Sequence, residues 1–336
     1  MTQSVAIVGL SLRYPGFCGP SAFFDSCRAP RTRLQKAAIS TVRPYQQDHP
    51  RGANHPYRIN NDLYGSIRDM SWIDARRFRV PPSDIEGDPS PFLCLQVASE
   101  ALLDHQAGRP DTCIPRHRTG VVIGRGDHPH RGLWSGLQGG SGLEVIRELL
   151  LSYPDLFSEK QADALVDVLL KRMEPFPNPS IAASLVSNVI SGLVANRLDL
   201  QGPNFLVDAA CTSAIVAIQQ AVRSLAEGET DLMLVGASQA TMAVPIIQMF
   251  SMLGAISSTD IQPFNALVDG TLLSEGVGFV VLKRLEDAQQ DSDRIYAIIR
   301  GLGLASDGND SSILAPSSRG QIQAMLNTYD QIDGIR

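Results

Sequence analysis

The chain is short of the features that most readily announce a function. It has no Cys-x-x-Cys pair, and its five cysteines, Cys18, Cys27, Cys94, Cys113 and Cys211, are odd in number and lack paired spacing. That excludes a disulfide framework and a zinc ribbon, and it predicts a reduced, cytoplasmic protein. The opening MTQSVAIVGL has neither the basic start nor the long apolar core of a signal peptide. No apolar run is long enough to span a bilayer, so no membrane span is expected. Positive charge is not in excess: 29 Lys and Arg stand against 35 Asp and Glu, and the net charge of −6 argues against a nucleic-acid binder. The His128-x-His130 pair has no third ligand nearby in sequence, so no metal site and no bound cofactor are expected.

What is present is a globular composition, 43% hydrophobic and 19% charged over 336 residues, enough for one large domain or two ordinary ones. Short apolar runs read as buried strands at Val5–Leu10, Thr119–Gly124, Asn204–Asp208, Asp231–Gly236, Gly278–Leu285 and Arg294–Leu304. Helical spacing appears over 91–106, 142–152, 159–173, 181–198, from Cys211 to near Gly228, and over 318–329. Alternation of the two predicts a mostly parallel α/β sheet with helices on both faces.

Charge is unevenly spread. From Arg28 to Arg79 there are eleven Arg or Lys against four Asp, in a stretch with little periodicity. The segment 28–80 reads as irregular, either a solvated loop region or a docking surface for an acidic partner. GRGDHPHRG, 124–132, reads as a surface loop.

The stretch VDAACTSA, 207–214, sets one cysteine between a strand and a helix. Buried cysteines are commonly inert small hydrophobes. A cysteine at the first turn of a helix instead meets the positive end of the macrodipole, which favours thiolate. Backbone N–H groups there lack intrahelical partners and can hold an oxyanion. Both readings of Cys211 stand on these residues alone.

The run NVISGLVANRLDLQGPNFLVDAACTSAIVAIQQAVRSLAEGETDLMLVGAS, 188–238, strongly resembles the nucleophile region of β-ketoacyl synthases, in particular those of polyketide and polyunsaturated fatty acid synthases. VAIVGLSLRYPG (5–16), WIDARRFRVPPSDIEGDPSPFLCLQVASEALLD (72–104) and FSMLGAISSTDIQPFNALVDGTLLSEGVGFVVLKRLEDA (250–288) extend the resemblance. IIRGLGLASDGNDSSILAPSSRGQ (298–321) is similar to the heterocyst-glycolipid and polyunsaturated-fatty-acid branch. The resemblance implies a thiolase-like fold, with residues 1–290 as the N-terminal half and 291–336 as the start of an incomplete C-terminal half. It also implies that Cys211 is the nucleophile, with its own backbone N–H as an oxyanion donor. Cys211 would take an acyl group from the phosphopantetheine of an acyl carrier protein and condense it with a malonyl extender.

The chain departs from the family pattern in what it leaves out. Two downstream histidines, in His-Gly-Thr and Asn-x-Gly-His-like motifs, are absent. The six histidines, His49, His55, His105, His117, His128 and His130, all precede Cys211. A glycine-rich loop giving the second oxyanion donor is absent too. Gln262-Pro263-Phe264-Asn265 replaces Arg-Pro-Phe-Asp, which exchanges an ion pair for amides, while Glu275 keeps the family's glutamate. The expectation is a split enzyme, a dimer or heterotetramer completed by a complementary ketosynthase C-terminal subunit. The alternatives are a non-catalytic scaffold or length-controlling subunit, and a stand-alone cysteine acyltransferase or hydrolase using an upstream histidine. Met242, Ile246, Met249 and Met252 are expected to shape the acyl pocket.

Overall fold

The sequence alternates β-branched runs with amphipathic helices, and in the computed structural model these runs collect into one sheet. The structure describes residues 4–28, 34–36, 46, 48–50, 54–67, 70–107, 114–126, 138–172, 186–309 and 315–332. The strands are β1 (Val5–Tyr14), β2 (Phe17–Cys18), β3 (Leu34–Lys36), β4 (Leu63–Gly65), β5 (Thr119–Gly124), β6 (Asn204–Val207), β7 (Leu232–Gln239), β8 (Gly276–Arg284) and β9 (Ala297–Ile299). Seven of them form a sheet in the order β2-β1-β8-β7-β5-β6, with β9 added to β1, while β3 and β4 make a separate hairpin.

The sheet is mixed rather than mostly parallel. Only β5 with β6 and β5 with β7 run parallel, whereas β8 is antiparallel to both β7 and β1, and β1 is antiparallel to β2 and β9. A continuous apolar run carries no sign of its direction, because it looks the same wherever both faces are buried.

One face is covered by α1 (Ser90–Gln106) and the later helix α4 (Val189–Leu198), the other by α5 (Ser213–Ala226). Between α1 and α4 come α2 (Leu143–Leu151) and α3 (Glu159–Arg172), and beyond α5 come α6 (Val244–Met252) and α7 (Ser318–Tyr329). Val121 and Ile123 of β5 point into the α1 layer, and Val122 between them points into the α5 layer, as the two-residue period of a strand requires.

Helix α1 is buried on nearly every side, from Phe92 to Leu102, so its polar groups are spent on the sheet. Asp104 accepts from the Leu10 N–H at 3.0 Å, and Glu100 accepts from Ser11 Oγ at 2.8 Å and from Arg13 Nη2 at 2.7 Å. These bonds fix β1 against α1.

Several sequence-based boundaries shift. Helical structure expected over 181–198 begins at Val189, after a turn at Val186–Asn188, and residues 181–185 lie outside the described residues. The strand expected over 294–304 is limited to Ala297–Ile299, where it pairs with β1. The segment 28–80 carries the β3–β4 hairpin and is therefore not wholly irregular.

Candidate active site

β5, β6 and β7 end together, and the carboxyl ends of parallel strands are where open α/β sheets place ligands. Cys211 sits there, just past the end of β6. It lies in a 3₁₀ turn, Ala210–Thr212, with Thr212 as N-cap of α5, and not in the first turn of the helix as its spacing suggested. Ala210 takes φ 49°, a left-handed conformation that alanine rarely adopts, and this bend turns the chain from strand to helix.

Side chains around the bend hold it. Asp208 Oδ1 accepts from the Ala210 N–H at 2.9 Å, and the Ser213 hydroxyl accepts from the Ala209 N–H at 2.9 Å while donating to the Ala210 carbonyl at 2.6 Å. Thr212 Oγ1 donates to the Ala209 carbonyl at 2.7 Å. The small hydroxyl residues around Cys211 thus serve as braces. Among the described residues, no backbone carbonyl accepts from the Cys211 N–H. The thiol is free and exposed.

Cys211 opens onto a cavity of about 680 Å³. Its floor is β7 from Val235 to Gln239, and its apolar wall includes Met242, Ile246 and Phe250. Of the four residues expected to shape an acyl pocket, Met242 and Ile246 line this cavity. Met249 and Met252 do not: they lie on the exposed side of α6, at 40% and 55% exposure. Glu275 also lines the cavity, with both oxygens engaged: Oε1 accepts from the Met242 N–H at 2.8 Å and Oε2 from the Ile67 N–H at 2.5 Å. Its role is to tie two chain segments to the end of β8.

Of the other cysteines, Cys94 is buried in α1, where burial pushes its thiol pKa up against the opposing charge of Arg125. Cys18 and Cys27 are exposed. Cys113 lies outside the described residues.

Among the described residues, no upstream histidine is brought to Cys211. His105 is buried against β1 with Asp293 at 4.0 Å, His117 lies in the turn before β5, and none of the described histidines lines the cavity. His128 and His130 lie outside the described residues. Of the stretch 124–132, Gly124, Arg125 and Gly126 are described, and all three line the cavity. Asn265 makes the neutral bonds expected of a turn, its Oδ1 accepting from the Leu267 N–H at 2.9 Å. Of the basic segment, Arg58, Arg76, Arg77 and Arg79 are exposed, whereas Arg31 and Arg33 lie outside the described residues. Among the described residues, no helix is long and apolar enough to cross a membrane and no cluster of His, Cys, Asp or Glu is arranged to hold a metal ion.

Comparison with known proteins agrees with this geometry. Residues 2–288 match the family model described as the N-terminal domain of β-ketoacyl synthase. One subunit of the phenolphthiocerol/phthiocerol polyketide synthase of Mycobacterium bovis is 30% identical over 333 residues, covering 98% of the chain and 16% of that protein. The hybrid PKS-NRPS synthetase mycA of Thermothelomyces thermophilus is 28% identical over 332 residues, 98% of the chain and 7% of its own length. Among solved structures, the ketosynthase from module 6 of the Bacillus subtilis bacillaene synthase superposes with a TM-score of 0.70 at 24% identity, over 97% of the chain and 48% of that structure. A Streptomyces albus oxazolomycin ketosynthase domain gives 0.74 at 20% identity, over 98% and 52%. The fold is thiolase-like, and the chain spans about half the length of these solved ketosynthases.

Proposed function

The chain belongs to the β-ketoacyl synthase family, as an N-terminal domain of the polyketide synthase type, and on that premise we propose that Cys211 is the acyl acceptor of a condensing enzyme. The observation that carries the reading is the placement of an exposed thiol on a braced strand-to-helix bend at the mouth of an apolar cavity. The thiolate attacks the thioester carbonyl of an acyl group held on the phosphopantetheine of an acyl carrier protein. The Cys211 N–H donates to the oxyanion that forms, and the phosphopantetheine thiol leaves with a proton. The cavity takes up the acyl chain.

Carbon–carbon bond formation follows when a malonyl-carrier thioester loses carbon dioxide. The carbanion attacks the acyl thioester, and the Cys211 thiolate departs. That step needs donors that stabilise the enolate, supplied in the family by two histidines. Residues 1–336 contain neither motif, so those histidines would come from a complementary ketosynthase segment outside these residues. The basic segment 28–79, in which Arg58, Arg76, Arg77 and Arg79 are exposed, is the proposed docking region for an acidic carrier protein. A reducing cytoplasm, where a free thiol persists, suits this chemistry.

The test is a condensation assay with acyl- and malonyl-carrier substrates. The 336-residue chain alone should form the acyl-enzyme and no β-ketoacyl product, and addition of a polypeptide carrying the two histidine motifs should restore the product. Robust condensation by the chain alone would refute the split.

A further inference from the structure

Arg125 is the cavity residue that acyl transfer leaves unused. It follows the last residue of β5, is only 4% exposed, and lines the same cavity as Cys211. Its Nη1 is buried with no hydrogen-bond partner. Among the described residues no Asp or Glu forms an ion pair with its guanidinium, and Arg125 is the one Lys, Arg or His that lines the cavity. Two buried carboxylates, Asp88 and Glu275, hold backbone N–H groups, and neither forms an ion pair with Arg125. Asp88 accepts from the Ser90 N–H at 2.9 Å, and Glu275 holds the Met242 and Ile67 N–H groups. Ser238 lies on the cavity floor, where its hydroxyl is close enough to the Cys94 thiol to hydrogen-bond it.

A buried guanidinium with an unbonded N–H and no carboxylate in direct contact is costly to a folded protein. Arginine cannot shed that cost by losing its proton, as a buried lysine can. A group that the fold leaves uncompensated at the wall of a ligand cavity is compensated when the ligand brings the opposite charge. The planar fork of N–H donors suits a carboxylate, which can accept two parallel bonds. The apolar stretch of wall formed by Met242, Ile246 and Phe250 suits methylenes.

We infer that Arg125 is an anion subsite and that the acyl group taken by this cavity ends in a carboxylate, as in the thioester of a dicarboxylic acid. The thioester end of that assignment rests on Cys211 as acyl acceptor; the anion subsite does not. The carboxylate belongs to the acyl chain and not to the malonyl extender. The extender must discharge its carboxylate as carbon dioxide, and a guanidinium that holds the anion opposes that loss.

Two measurements test it. The first omits the thiol: Cys211→Ala protein is titrated with octanoate and with the uncharged octanamide, followed by calorimetry. Octanoate should bind about ten- to a hundredfold more tightly, the value of a charge-assisted hydrogen bond. Adding Arg125→Gln should abolish the difference, and Arg125→Lys should keep part of it. Thermal melting without ligand checks folding. Arg125→Gln should melt no lower than the parent, because it removes a buried uncompensated charge, and octanoate should raise the melting temperature of the parent only. Equal binding of octanoate and octanamide, or undiminished octanoate binding by Arg125→Gln, would overturn the subsite. The second measurement compares acylation of the unaltered chain by suberoyl and octanoyl thioesters, with suberoyl expected to be faster and the preference lost in Arg125→Gln. Equal rates would overturn the substrate class. Octanoate selectivity without acylation by either thioester would uphold the subsite and reject Cys211 as the acceptor.

Discussion

Gly124 and Ser213 meet backbone to backbone: a Cβ on Gly124 would stand 2.5 Å from the carbonyl carbon and oxygen of Ser213. The end of β5 therefore wedges directly against the first residue of the helix that follows Cys211, with no room for a methyl group. Gly124→Ala must push α5 and the bend away from β5. Displacements of this size at a reacting group typically cost about a hundredfold in rate. The expected result is acylation of Cys211 reduced to that degree in a protein that still folds, measured by intact mass over time. An unchanged rate would show that the wedge does not position the thiol.

Ala210 offers a test of the bend itself. At φ 49° a glycine is at ease, an alanine is strained, and a β-branched residue is badly placed. Ala210→Val should lower stability by about 1–3 kcal/mol in chemical denaturation, whereas Ala210→Gly should cost nothing. Equal stability of all three proteins would mean that the left-handed bend does not constrain this residue.

Asp269 predicts an acid limit for the segment that it ties to Ser257 and Ser258. Its Oδ1 accepts from Ser257 Oγ at 2.6 Å, and its Oδ2 accepts from the Ser258 N–H at 3.0 Å and from Ser258 Oγ at 2.5 Å. The Ser257 hydroxyl, then the Ser258 hydroxyl and N–H, lower its pKa from 3.8 to about 2. A carboxylate with a depressed folded pKa stabilises fully above its unfolded value and loses that contribution as the pH falls through the folded one. Protection of the Ser258 amide from exchange should therefore hold above pH 3.8 and be lost by about pH 2. Asp269→Asn should remove the pH dependence; a normal carboxylate titration in the parent would contradict this account.

The strands that β-branched runs built were legible nearly to the residue, β5 as Thr119–Gly124 and β6 as Asn204–Val207. The motif around Cys211 was legible because the spacing of small residues there answers a local need, the bend and its braces. Strand direction was not legible, since β8 reads the same whether parallel or antiparallel to β7. The pairing of β9 with β1 joins residues almost three hundred apart, and no local pattern encodes it. Arg125 was missed because a polar run after a strand resembles a solvated loop. The available signal was a lone cation directly after the fully buried run TGVVIG, at the end of the sheet where ligands gather.

The exposed cysteines supply the decisive comparison. Cys18, Cys27 and Cys211 are all free and reachable, so exposure alone does not select among them. The account requires the bend and the cavity to do so. The measurement is mass spectrometry with peptide mapping after incubation with an acyl-carrier thioester, on the unaltered chain and on Cys211→Ala. The account predicts a single acyl adduct on the peptide carrying Cys211 and none in the variant. Equal labelling of Cys211→Ala, or an adduct carried on Cys18 or Cys27, would contradict it.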